Sequence, residues 1–117
     1  GDYVRRSRSY GKVIMELQKE LDRAAGDNDA SRVAELGEHL DTIMRQGLVP
    51  SLKAADSQVG PGGTGRKELI DLRDSNLLLV EWLQEKARHK WADSREVREV
   101  VDSLEKTKNE LGSSFRP

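Results

Sequence analysis

The sequence contains no cysteine. That excludes a disulfide scaffold and any thiolate metal site. Aromatic side chains are few: Tyr3, Tyr10, Trp82, Trp91 and Phe115. A core must therefore be filled mainly by Leu, Val, Ile and Ala, as in helix bundles. No apolar run approaches the roughly 20 residues that span a bilayer, and no secretory apolar segment is evident. Neither sign of charge dominates, with 20 Lys and Arg against 21 Asp and Glu and a net charge of −1. Such balance gives no global attraction to nucleic acid or anionic lipid, though it permits a local patch. These absences are compatible with an intracellular, cytoplasmic setting. The opening Gly1-Asp2 is compatible with an expression remnant, and the chain with a piece of a longer protein.

What is present is periodic. The 117 residues suit one domain with one modest core. Tyr10, Val13, Ile14, Leu17, Leu21 and Ala24 recur in steps of three and four, which places them on one helical stripe. The spacing predicts a helix over about 3–25. Gly26-Asp27-Asn28-Asp29 ends it, and Asp29 or Ser31 can cap the next. Val33, Leu36, Leu40, Ile43, Met44 and Leu48 mark a second helix over about 30–48. Gly37 falls near that stripe, where it allows a close helix approach. Pro50 disfavours helix at Val49, so residues 49–65 are read as a flexible loop, with Leu52, Ala55 and Val59 available for a short turn.

A third helix is expected over 66–91. Leu69, Asn76, Val80, Leu83 and Ala87 share a face, with Leu72 and Trp91 at its margins. At about 100° per residue, Leu78 and Trp82 stand opposite. A helix apolar on two sides is either central in a bundle or carries a contact surface. Asn76, polar in the main stripe, can fix register at a cost in stability. A fourth helix over 94–111 is announced by Asp93 and Glu96, which resemble a capping box. Val97, Val100, Val101, Leu104 and Leu111 form its stripe. Gly112 reads as a stop and residues 113–117 as a tail. The fold class is all-α: an antiparallel four-helix bundle of two hairpins, or a three-helix core with a loosely attached first helix.

Gly60-Pro61-Gly62-Gly63-Thr64-Gly65-Arg66-Lys67 resembles the phosphate-binding loop of P-loop NTPases. Arg66 stands where that motif needs Lys, Lys67 stands where it needs a hydroxyl, and no buried strand precedes it. It is read as a linker. His39 and His89 lack the Glu-x-x-His spacing of bundle metal sites. Glu35 and Glu85, four residues before them, are ordinary for solvated helix pairs. No catalytic residue, metal, cofactor or small-molecule substrate is expected, so the chain is read as not an enzyme.

Two basic regions stand out. Arg5-Arg6-Ser7-Arg8-Ser9 suggests phosphorylation at Ser7 or Ser9, or a frayed helix start. Lys86, Arg88, Lys90, Arg95 and Arg98 offer an alternative reading as a nucleic-acid-binding surface, diluted by Glu85, Asp93, Glu96 and Glu99. The main expectation is a protein-interaction module of a scaffold, adaptor or cytoskeletal protein. Leu78 and Trp82 would be anchors and Glu81, Glu85, Arg88 and His89 a polar rim, for a partner helix or a second copy in a homodimer. The layout of charged helical hairpins is similar to small adaptor bundles such as GAT or BAG domains. That likeness implies protein binding and assigns no residue.

Overall fold

The computed structural model describes residues 2–116 and contains helices only among them. The first helix, α1, spans Tyr3–Gly26. Its start is not frayed: the Asp2 side chain accepts from the Arg5 backbone N–H at 3.1 Å, a standard N-cap bond. Helix α2, Ala30–Ile43, is capped in the same way by Asp29, which accepts from Arg32.

The expected loop at 49–65 is shorter than its sequence suggests. After α2 the backbone stays helical through a π-turn, Met44–Leu48, into α3, Val49–Gln58. The reason lies at Pro50. Inside an α-helix its ring would strike the carbonyl four residues back and remove one hydrogen bond. In the π-turn the Val49 N–H instead reaches the Met44 carbonyl. The wider turn lets the chain pass Pro50 without breaking, as π-bulges commonly do. Val49, Ser51, Leu52 and Ala55 are consequently buried, and α2 to α3 act as one rod.

Helix α4, Arg66–Lys90, follows a tight loop of residues 59–65 in which Gly62 and Gly65 take positive φ. Trp91 ends α4 and is buried, its indole N–H donating to Asn28 Oδ1 at 3.0 Å. Helix α5, Arg95–Gly112, is capped by Ser94 rather than Asp93.

The four rods form a ring in which α1 and α5 each adjoin both the α2–α3 rod and α4. Each hairpin is antiparallel. Between hairpins the helices run parallel: Arg8 and Gly11 of α1 meet Glu68 and Leu72 of α4, and Gly37 and Asp41 of α2 meet Val100 and Ser103 of α5. The 59–65 loop therefore crosses the bundle end diagonally. Ile14, Leu21, Ala24 and Ala25 of α1 lie in the shared core, so α1 is integral and the three-helix arrangement is not adopted.

Residues 113–116 are likewise no free tail. Phe115 is fully buried, with the Arg66 guanidinium over its ring at 4.5 Å. Arg66, only 8% exposed, donates to the Val59 carbonyl at 2.7 Å, to Asp56 Oδ1 at 3.0 Å and to the Arg116 carbonyl. Arg73 donates to the Phe115 carbonyl. One buried cation thus joins α3, the crossover loop and the C-terminal turn. Asp41 ties the other seam, accepting from Ser103 Oγ at 2.6 Å and from the Thr107 hydroxyl.

Three of the four seams close over a glycine. A Cβ on Gly37 would stand 2.7 Å from Val100 Cγ1, and one on Gly11 2.7 Å from Leu72 Cδ1. One on Gly47 would overlap the Tyr10 ring. Helix propensity alone favours Ala at Gly47 by about 1 kcal/mol. Overpacking against a rigid ring outweighs it, so Gly47→Ala is expected to lower stability by about 1–3 kcal/mol. Gly26→Ala, which meets open space, should raise it by about 0.5–1 kcal/mol. Thermal denaturation of the two variants gives opposite signs if the packing is as described.

Burial pushes the Asp56 carboxyl up. Hydrogen bonds from Arg66 and from the backbone and side chain of Arg116 outweigh this and hold it below its ordinary value of 3.8. A carboxyl depressed on folding binds fewer protons than in the unfolded chain, so its stabilisation is full above about pH 4 and lost as pH falls further. Asp56→Asn should be less stable at pH 7 and lose less on acidification. Urea titrations at pH 7 and pH 3 measure both effects.

Candidate protein-binding face

The ring arrangement answers how a two-sided α4 is used. No helix is central, so its second apolar strip faces outward. Leu78 is 66% exposed and Trp82, four residues on, is half-buried against the core edge. Across the seam on α1, Met15 is 60% exposed. Between α1 and α4 runs a cleft of about 530 Å³. Its floor is Gly11, Ile14, Leu72 and Leu79, and its edges are Arg8, Lys12 and Gln18 on one side and Glu68, Asp71 and Ser75 on the other. Leu78 and Trp82 are helical neighbours of Ser75 and Leu79 and so continue its α4 wall.

Arg8 closes one end of this cleft, donating to Glu68 at 2.6 and 3.0 Å. That bidentate hydrogen bonding holds the Glu68 carboxyl below its ordinary value of 4.5. Beyond Glu68 the seam is not strapped by an ion pair among the described residues. By contrast, the cleft of about 400 Å³ between α1 and α2 is bridged by Arg32 and Glu20 at 3.0 Å.

The expected rim is divided. Glu85 and His89 lie on the outer edge with Leu78, His89 Nε2 being 2.8 Å from Glu85 Oε1. Glu81 faces α5, with Lys108 3.9 Å away. Arg88 lines a separate cleft of about 830 Å³ between α4 and α5 and also pairs with Glu85. The α1 half of the face, Gly11, Lys12 and Met15, was not evident in the sequence. The available signal was Met15, an apolar residue off the α1 stripe.

Other expected features take different places. Ser7 is fully buried, its hydroxyl donating to the Tyr3 carbonyl at 2.8 Å, so a kinase cannot reach it in the folded domain. Ser9 is exposed. Arg66, at the position of a P-loop lysine, turns inward to the bonds described above and presents no cation to a phosphate. In the basic cluster Arg95 pairs with Glu99 at 3.0 Å, Arg98 reaches the Ala92 carbonyl at 3.4 Å and Lys90 lies 6.0 Å from the Trp91 ring. Of this cluster Arg88 and Arg95 are ion-paired with carboxylates. Among the described residues no three His, Asp or Glu side chains stand together as a metal site, and no helix is long and apolar enough to cross a membrane.

The chain matches no family model, and neither a curated protein nor a solved structure shows significant similarity to it. Its own residues carry the functional argument.

Asn76 sits under the cleft. Its amide donates to the Leu72 carbonyl at 2.8 Å, while its Oδ1 is buried without a partner. An unpaired buried carbonyl costs about 1–3 kcal/mol. Asn76→Leu, which keeps the number and branching of the side-chain heavy atoms, is therefore expected to stabilise the domain by about 1–2 kcal/mol. A loss of stability on chemical denaturation would show that Oδ1 has a partner.

Proposed function

We propose that this domain is a non-catalytic protein-interaction module of an intracellular scaffold, adaptor or cytoskeletal protein. Its binding face is the outer side of the α1/α4 seam. One observation supports this above others. Exposed Met15 lines a cleft with an apolar floor, and exposed Leu78 lies on α4 one turn from Ser75 at its edge. Exposed apolar residues standing singly need no explanation, whereas a contiguous apolar face rimmed by charge is what partner surfaces offer. A helix lying along the cleft would cover Met15, Leu78 and Trp82 together, the geometry of helix-in-groove recognition. Trp82 then supplies the aromatic anchor that such surfaces favour.

A photo-crosslinking residue placed at Leu78 or Met15 should give a covalent protein adduct in the cells that make the protein. The same residue at exposed Lys106 on α5 should give none. No adduct from either face position would overturn the reading.

A further inference from the structure

The charges bordering this face are biased by helix, basic on α1 and acidic on α4. On α1, the strip bordering the cleft carries exposed Arg5, Arg8, Lys12, Lys19 and Arg23, against the two acids Glu16 and Asp22. On α4, the corresponding strip carries exposed Asp71, Asp74 and Glu85, with Lys67 as its one lysine. Most of these have neighbours of opposite sign: Asp71 with Lys67, Asp74 with Arg73, Lys19 with Glu16. Such exposed pairs are worth little and exchange readily. Lys12 has no ion-pair partner among the described residues.

We infer that the occupant of the α1/α4 face is a second copy of this chain, related by a two-fold axis parallel to the helices. The inference rests on the face being an interaction surface. Such an axis lays α1 of one copy on α4 of the other, basic strip on acidic strip. It adds no shift along the helices, so residues level within one chain become opposite across the interface. Arg8–Glu68 and Gly11–Leu72 set that level, and both helices rise about 1.5 Å per residue. Lys12 then opposes Asp74 and Arg23 opposes Glu85 within about half a turn, and Met15 opposes Leu78 within about two-thirds of a turn. A two-fold axis perpendicular to the helices would stack α1 on α1 and α4 on α4, like charge on like. Charge thus selects one of the two isologous arrangements. The area is adequate as well. Two helices of this length present a face about 36 Å by 20 Å, or about 700 Å², close to the roughly 800 Å² per partner of a standard interface.

The absence of cysteine makes the test direct. Met15→Cys and Leu78→Cys variants are prepared separately, mixed in equal amounts and oxidised mildly, with light scattering of the unmodified protein across concentration. The expected result is a dimer of twice the 13.1 kDa chain mass. Disulfide formation between the two variants should be at least five times that within either alone. Lys12→Glu and Asp74→Lys should each weaken the dimer about tenfold, and the doubly reversed chain should recover most of that loss. A monomer at every concentration overturns the inference, as does Met15→Cys linking to itself as readily as to Leu78→Cys. If the chain is monomeric yet the Leu78 photo-adduct contains another protein, the second copy is wrong and the interaction face stands. If there is no adduct, the face itself is wrong.

Discussion

The buried guanidinium of Arg66 is the contact on which the arrangement of the two hairpins depends. It stands at the first residue of α4, where the chain has just crossed the bundle end, and binds groups from three separate stretches: Asp56, Val59 and the Arg116 carbonyl. A buried cation is costly unless its donors are met. Here the two terminal nitrogens are met, and Nε is not, in the position that holds α4 on the diagonal from the rod it follows. Phe115 seals the site by stacking on the same group.

The diagonal crossing decides which helices are neighbours. It places α1 beside α4 in parallel, a pairing that a direct hairpin link would not produce. The α1/α4 seam is close at Gly11 and at the Arg8–Glu68 pair, and an apolar cleft runs along it. The α2/α5 seam has Asp41 with its two hydroxyl donors, and the α1/rod seam has Tyr10 against Gly47. The face proposed for binding is the seam whose two helices pack least closely among the four.

Much of the fold is legible in the residues because apolar periodicity and capping are local signals. The stripes of α1, α4 and α5, the Asp29 cap and the close approach at Gly37 follow from sequence spacing. Residues 49–58 do not, because the rule that proline breaks helices says nothing of a π-turn that accommodates it. Phe115 and Arg66 are opaque for another reason: a single aromatic in a short polar stretch and an arginine after glycines look like tail and linker until the ends of the chain meet. The candidate face was half visible. Leu78 and Trp82 stand out within one helix, but their α1 counterparts become meaningful only once the crossover makes those helices neighbours.

The most direct test of this account is a methyl-resolved NMR titration of the protein against its own concentration. The account predicts that the methyl signals of Met15, Leu72 and Leu78 shift together, while Val13, exposed on the α1/α2 side, stays fixed. Shifts confined to Val13 and its neighbours, or no shift anywhere, would contradict it.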